Sequence, residues 1–496
     1  MQQTILNILN KIKGNKEKIL VVGLGITGIE SALTLKRNGI NVIICERSER
    51  EQYLQKSKFA DRLPEIENNK IEVAFGIDGA AVSSIAKDVS LAVISPGVPF
   101  DSPLANTLRQ SNIKIMSEFE LGIELLKAPT ICITGSNGKG TTTTLIGEIL
   151  KADNQKVKIA GNIGTPVISE VGSFWESHPY NGWLVAEASS YQLEACSILK
   201  PQIALLLNIS ENHLERHKTI ERYLDCKLNI FRQQTENDLA ILSYDDKMVF
   251  AHAKNLKSKV ALFGSQIDAP HQDRAEICYH PEKNQDWIDL TFGGRAERFD
   301  FTSQGNIGKI HLFGYHNRLN IAAAILAARA AGASTAAIVA ACRSFTGLPH
   351  RQQLVGEKNG VRFINDSKST SIAASEAAIK TTIGRFGKDA KIILMLGGIS
   401  KGGSSWQPLI NLIESEKDSF KTICCFGKDG EVILDNLKSL PTKKCLAKNL
   451  EEALIAANSS ASTGDIVLFS PACASFDEFK DFEHRGERFR QLVEKL

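Results

Sequence analysis

The sequence lacks any CxxC pair and any zinc-ligand spacing, although it carries 10 cysteines; Cys424 and Cys425 are adjacent and the others lie far apart. This excludes a metal ribbon or a disulfide framework, and the expectation is mostly buried thiols in a reducing cytoplasm. Charge of one sign is also missing as a block. Lys and Arg total 59 against 56 for Asp and Glu, a formal balance of +3. That argues against a dedicated nucleic-acid binder and leaves phosphorylated small molecules open. No continuous apolar segment of signal-peptide length stands at the N-terminus, where residues 1–18 scatter lysines among short apolar groups, so secretion is not expected. The Ala-rich stretch from Ile321 to Cys342 is broken by Arg329 and by Gly332-Ala333-Ser334-Thr335, well short of the ~20 apolar residues that cross a bilayer. It reads as two packed helices, with no membrane insertion. Neither a solenoid-period repeat nor a low-complexity tract is visible.

What is present is a globular composition over a long chain. With 43% hydrophobic and 23% charged residues in 496, the chain can bury real cores, and at ~100–200 residues per domain it holds roughly two to four. Short β-branched runs alternate with helical patterns. Ile19–Val22 leads through a Gly-rich turn into a helix ending near Asn38 and a second strand at Val42–Cys45, a βαβ unit. Strands at Leu91–Ile94 and Lys114–Met116 would complete a first domain. A second series starts at Thr130–Ile133 and continues through Trp183–Glu187, Ile203–Asn208 and Ala240–Ser243. The more polar stretch 253–310, with Ala261-Leu262-Phe263 and Asp289–Phe292, predicts short antiparallel strands. After Gly347-Leu348-Pro349 strands recur near Val361–Ile364, Lys391–Met395, Thr422–Phe426 and Asp465–Phe469. The fold class is α/β in three domains. A Rossmann-like domain is expected over 1–127 and a P-loop ATPase-like domain over 128–347, its sheet mostly parallel with a small antiparallel part. A Rossmann-like C-terminal domain is expected over 348–496.

Two loops carry chemistry. Gly23-Leu24-Gly25-Ile26-Thr27-Gly28, with Glu46 closing the next strand, has the layout of a dinucleotide fingerprint: close backbone approach, N–H groups at a helix N-terminus, and an acid that could meet a ribose. It supports a nucleotide diphosphate without separating NAD from UDP, and a tight turn that needs glycines explains it equally well. The second loop, Thr134-Gly135-Ser136-Asn137-Gly138-Lys139-Gly140-Thr141, runs from an apolar strand into a Thr-rich helix start. Its N–H groups would cradle phosphates, and Lys139 would neutralise the charge of the β and γ groups. Gly140 stands where a P-loop has the Ser or Thr that ligates Mg²⁺. Downstream, Glu187 ends one strand and His213 follows another. Both belong at the C-terminal edge of a parallel sheet, and together they suit Mg²⁺ held by few protein ligands. Taken singly, each is an ordinary polar cap.

These residues, with Gly161-Asn162-Ile163-Gly164, Glu187–Glu194, Asn208–His213, Gly314-Tyr315-His316-Asn317 and Gly347–Arg351 in order, resemble the Mur ligase family over nearly the whole chain. Asn365–Thr370 and Ser470–Phe479 resemble the branch of that family that adds D-glutamate. The resemblance implies an ATP-dependent amide ligase that joins D-glutamate to UDP-N-acetylmuramoyl-L-alanine through an acyl phosphate, a cytoplasmic monomer using ATP and Mg²⁺. It implies that Ile26, Thr27, Glu46, Arg47 and the loop Ser95-Pro96-Gly97 hold the UDP moiety, with Asn162, Ser189 and Gln192 approaching the muramoyl part. Gly135, Ser136, Asn137, Gly138, Lys139, Gly140 and Thr141 would bind ATP, together with Asn317, Arg351, Asp366 and Lys368. Thr141, Glu187, His213 and Lys227 would hold Mg²⁺, Lys227 as its CO₂ carbamate. Lys139, Glu187, His213 and Lys227 would be the catalytic groups, and Thr370, Lys401, Ser475 and Phe482 would receive D-glutamate. Without the family, Lys227 reads as a solvated helix residue. The chain departs from the family pattern at Gly140, at Asn212 before the metal histidine, at Ile399-Ser400 and at Glu46-Arg47-Ser48, and none of these removes a catalytic group.

Overall fold

The computed structural model describes residues 5–175, 180–269, 272–308, 310, 312, 314–387, 389–400 and 405–496. Lys401, expected to receive D-glutamate, lies outside the described residues. The strands form three sheets. In the first, β1 (Lys18–Val22), β2 (Asn41–Cys45), β3 (Glu72–Ala74), β4 (Val89–Ile94) and β5 (Lys114–Ser117) run parallel in the order 3-2-1-4-5. β1, β2 and β4 are almost continuous Ile, Val and Leu, buried on both faces, as strands covered on both sides of a parallel sheet require.

The second sheet contains β6 (Thr130–Thr134), β7 (Val157–Gly161), β8 (Trp183–Glu187), β9 (Ile203–Leu206), β10 (Leu239–Ser243), β11 (Lys259–Gly264), β12 (Arg274–His280), β13 (Gln285–Phe292) and β14 (Arg295–Asp300), in the order 14-13-12-11-10-9-6-8-7. Pairing is parallel from β7 to β12 and antiparallel only from β12 to β14. The expectation for Ala261-Leu262-Phe263 is therefore corrected. These residues lie in β11, which runs parallel to β10. All three are fully buried and extend the parallel core, whereas β13 buries only alternate residues, the mark of a strand with one wetted face.

In the third sheet β15 (Gln353–Lys358), β16 (Val361–Asn365), β17 (Ile392–Gly397), β18 (Phe420–Phe426), β19 (Lys443–Ala447) and β20 (Ile466–Ala472) take the order 15-16-20-17-18-19. β15 is antiparallel to β16, and the other pairs are parallel.

Contacts gather the chain into two compact units, Met1–Lys309 with His316–Ser344, and Ile310–Tyr315 with Phe345–Leu496. The first unit holds two sheets, and one apolar cluster runs through both, from Leu9, Ile19 and Val93 through Phe119 and Leu121 to Cys132, Leu184 and Leu206. The helix Glu118–Leu126 lies between them in sequence and is pinned by buried carboxylates. Glu118 accepts the Ile168 amide at 2.9 Å, and Glu120 Oε1 accepts the amides of Ser197, Ile198 and Leu199 at 2.6, 2.6 and 2.9 Å. The Ala-rich stretch falls in two helices, Tyr315–Ala330 and Thr335–Ser344. No helix among the described residues is long and apolar enough to cross a membrane. All ten cysteines are free, and most are buried.

Candidate active site

β6 is wholly buried and ends at a loop whose backbone only glycine tolerates. Gly135 and Gly138 have φ of 153° and 84°, and a Cβ on Gly138 would stand 2.1 Å from Asn320 Oδ1. The helix Tyr315–Ala330 therefore leans directly on the loop, with Asn317 one turn before the contact. Asn208 braces the loop from the other side, its amide oxygen accepting the Asn137 N–H at 2.8 Å and its Nδ2 donating to the Asn137 carbonyl at 3.1 Å. Ser136 Oγ accepts the Ser210 amide at 2.9 Å and meets the Tyr223 hydroxyl at 3.2 Å. Lys139 opens the helix Lys139–Ala152 and folds back, donating to the carbonyls of Gly135 and Ser136 at 2.8 and 3.0 Å. Gly140 and Thr141 are buried in that first turn, and the neighbouring hydroxyls of Thr142 and Thr143 are buried without a protein partner.

Lys227 corrects the solvated reading of its helix. Its side chain is 1% exposed, and Nζ donates to Thr134 Oγ1 at 3.2 Å and to the Gly135 carbonyl at 2.8 Å, above the Tyr223 ring. Burial pushes its amine well below the usual lysine range, and the charge of Lys139 pushes the same way against the pull of Glu187. Both effects favour the uncharged form of this amine at the root of the Gly-rich loop. Glu187 ends β8 and is buried, with Oε1 accepting from Asn162 Nδ2 at 2.7 Å. That leaves Oε2 as a hard oxygen donor. His213 sits in a left-handed conformation, φ 54°. Its Nδ1 meets the Tyr191 hydroxyl at 3.0 Å, and that hydroxyl donates to Glu215 at 3.2 Å. Nδ1 is then the protonated nitrogen, and Nε2 keeps the lone pair a metal needs. Sequence reasoning missed Asn320 and Tyr223, because neither belongs to a motif and both act only through the loop they support.

The first Gly-rich turn is tight. A Cβ on Gly28 would stand 1.9 Å from the Gly23 carbonyl, and Ser95 Oγ lies against Gly23. Glu46 braces this turn, its two oxygens accepting the amides of Leu24 and Ser48 at 3.0 and 2.9 Å. Ile26 is exposed, Thr27 half-buried, and Arg47 pairs with Asp78 at the surface. Ser95 is buried, while Pro96 and Gly97 reach the surface beside it. In the central part of the same unit, Ser189 and Gln192 bond each other as the reciprocal cap of the helix Ser190–Glu194.

In the second unit, Asp366 follows β16 and accepts from the Gln352 amide and from Ser470 Oγ at 3.1 and 2.9 Å. Burial outweighs these bonds and lifts its carboxyl to about 7. The Lys368 ammonium lies over the Phe482 ring, 4.0 Å from its centroid. Arg351 is exposed, Thr370 is half-buried, and Ser475 is buried just beyond β20. Sequence reasoning also missed Arg485. Its side chain is 1% exposed and donates to Ser367 Oγ, to the Ser367 carbonyl and to the Cys473 carbonyl at 3.0, 2.9 and 3.0 Å, with the Gly397 carbonyl at 3.5 Å. One guanidinium thus gathers the end of β17 with the chain just beyond β16 and β20, the last two being the segments that lead to Lys368, Thr370 and Ser475. One arginine among three in an amphipathic helix gives no sequence signal of this.

A glycine-rich loop at the C-terminal edge of a parallel sheet, with an amine and a carboxylate buried behind it, is the arrangement that suits an enzyme acting on the terminal phosphates of a nucleotide. Family models described as Mur ligase middle domain and as Mur ligase, glutamate ligase domain match residues 133–328 and 350–473. The UDP-N-acetylmuramoylalanine--D-glutamate ligase of Geotalea daltonii is 37% identical over 98% of each chain. The protein of that name from a Thermoanaerobacter species is 35% identical over 98% of this chain and 99% of its own. The chain belongs to the Mur ligase family. Among solved structures, the fold is shared with the UDP-N-acetylmuramate-alanine ligase MurC of Thermotoga maritima (TM-score 0.55, 19% identity, 97% of this chain and 99% of that one). It is shared also with the MurF ligase of Thermotoga maritima in complex with ADP (TM-score 0.56, 18% identity, 92% and 95%).

Proposed function

We infer that this chain is an ATP-dependent amide ligase that adds D-glutamate to UDP-N-acetylmuramoyl-L-alanine, a step in the synthesis of peptidoglycan precursors. The observation that carries the reading is end-to-end similarity to ligases named for that reaction. The geometry of the phosphate loop supplies its chemical sense. A carboxylate forms an amide in water only after acquiring a better leaving group than hydroxide. The L-alanyl carboxylate attacks the γ-phosphorus of ATP, ADP leaves, and an acyl phosphate forms. The D-glutamate amine then attacks the acyl carbon, loses a proton, and phosphate departs as the amide bond closes. Lys139 turns from its loop carbonyls to the phosphoryl oxygens, where charge is spread in the transition state, and the amides of Gly135 to Thr141 fix the phosphates in line.

The residues around the loop fit Mg²⁺ on one condition. Glu187 offers an oxygen, His213 a nitrogen and Thr141 a hydroxyl, but a bare amine at Lys227 is a poor ligand for so hard an ion. A neutral buried amine is the form that adds CO₂, and the carbamate supplies two anionic oxygens. The ion would neutralise phosphoryl charge without proton transfer. We assign Asn317, Arg351, Asp366 and Lys368 to ATP, and Ile26, Thr27, Glu46, Arg47, Ser95, Pro96 and Gly97 to the UDP moiety. Asn162, Ser189 and Gln192 are assigned to the muramoyl part, and Thr370, Lys401, Ser475 and Phe482 to D-glutamate. Glu46 serves through the backbone of its turn. We assign the domains to 1–127, 128–347 and 348–496 and take the enzyme as a monomer; a place in the cytoplasm is in keeping with its free thiols. Phosphate release with UDP-N-acetylmuramoyl-L-alanine should appear with D-glutamate and not with the other members of a panel of L- and D-amino acids. Equal release with several of them would remove the acceptor assignment.

A further inference from the structure

Three unlike donors from different helices converge: Glu194 at the end of Ser190–Glu194, His217 at the end of Leu214–His217, and Cys226 in Ile220–Leu228. One ligand atom from each lies within 4.8 Å of the other two. His217 is fully buried, and Cys226 and the Glu194 side chain are each 8% exposed. The catalytic reading uses none of them.

The contacts around the cluster orient it as a metal site is oriented. Cys226 Sγ stands 3.7 Å from His217 Nδ1, close to the separation of two ligands sharing one tetrahedral ion with bonds of about 2.3 and 2.0 Å. His217 Nε2 meets Ser190 Oγ at 2.9 Å, so the second ring nitrogen is held by an outer partner while Nδ1 faces the sulfur. Both bonds from Arg216 to Glu194 fall on Oε2, at 3.2 and 2.6 Å, which leaves Oε1 for an ion. Arg216 is itself anchored on the Val98 carbonyl at 3.0 Å. Sulfur, imidazole and a single carboxylate oxygen form a set that Mg²⁺ disfavours and Zn²⁺-class ions prefer.

We propose that Glu194, His217 and Cys226 form a second metal site, selective for borderline-soft divalent ions of the Zn²⁺ class, distinct from the Mg²⁺ position at Glu187 and His213. Binding forms a metal–sulfur bond and releases the thiol proton. The chain from His213 to Lys227 carries a proposed Mg²⁺ ligand at each end, and an ion clamped between His217 and Cys226 restrains both. Occupancy is expected to hinder the adjustment of those ligands around Mg²⁺ and so to inhibit the ligase.

The test uses the full chain with millimolar Mg²⁺, no nucleotide and no substrate, titrated with Co²⁺ as the probe. The expected result is a thiolate-to-cobalt charge-transfer band that saturates at one equivalent, disappears in Cys226→Ala and weakens in His217→Gln. Oxygen and nitrogen ligands at the Mg²⁺ position give no such band. Circular dichroism checks the fold of each variant, and Cys226→Ser, which keeps the side-chain volume, carries the same readout. In the ligase assay Zn²⁺ should inhibit the parent protein at least tenfold more strongly than Cys226→Ala. Absence of the band at one equivalent, or a band that survives Cys226→Ala, overturns the proposal. Neither outcome touches the ligase assignment, because the titration contains no substrate.

Discussion

Lys227 and Arg485 are buried basic side chains, one in each compact unit, and they meet burial differently. Lys227 has two bonded oxygens, the Thr134 hydroxyl and the Gly135 carbonyl, and a positive neighbour in Lys139. Arg485 touches a hydroxyl and carbonyls of three segments, and burial lowers it only to about 10. A lysine can surrender its proton and become a nucleophile; a guanidinium cannot at neutral pH, and must be satisfied where it stands. The same desolvation therefore makes one residue reactive and the other a strut. What decides between them is the side chain's chemistry and the number of acceptors, not depth.

Replacing the buried lysine should have the largest effect. Lys227→Ala should lower kcat by about 10²–10³-fold, the usual scale for losing a group that stabilises transition-state charge, and added formate or acetate should restore part of it. With ¹³C-bicarbonate, the parent protein should show a carbamate carbon signal that the variant lacks. Full activity in Lys227→Ala without any added anion would put Lys227 in the same class as Arg485.

The strut should answer differently. Arg485→Met strands carbonyls and a hydroxyl that were paired, so unfolding of the second unit should become easier by about 2–4 kcal/mol in a denaturant titration. Arg485→Lys should fall in between, since it keeps the charge and loses the fork. If Arg485→Met left the denaturation midpoint unchanged, the bonds to Ser367 and Cys473 would count for nothing and the comparison would collapse.

A smaller effect concerns the acid of the second unit. Asp366 has its folded carboxyl raised to about 7, while the unfolded chain titrates near 3.9. The folded unit thus holds a proton the unfolded chain has lost. This stability is complete below about pH 4 and is lost as pH rises toward 7, by about 2 kcal/mol between pH 5 and 7. Asp366→Asn should flatten that slope relative to the parent in parallel melts, and an identical slope in both proteins would mean Asp366 is ionised throughout.

The sequence makes the phosphate loop visible because an apolar strand, two glycines and a lysine have no packing purpose together, and Glu187 follows from the same strand-end logic. The three-layer rhythm of strands is legible for a similar reason: buried parallel strands such as β1, β4 and β17 are unbroken apolar runs. Edge strands β15 and β19 bury no residue fully, so no period betrays them. β11 departs from the antiparallel expectation because three buried residues look alike in either pairing direction. Lys227 and Arg485 escape the residue-by-residue reading altogether, because a lysine or an arginine on a helix is normally solvated, and only the position of distant oxygens makes the exception. Asn320 is visible only through the space that Gly138 leaves it.

The apolar cluster that passes from β1 and β4 through Phe119 into β6 and β8 has a consequence for how the protein comes apart. A boundary near residue 127 divides two sheets without dividing one core. Heating should therefore show the two sheets of the first unit melting in a single cooperative step, and a fragment cut there should not survive as a folded piece. The unit of inheritance suggested by the sequence rhythm is smaller than the unit of cooperativity.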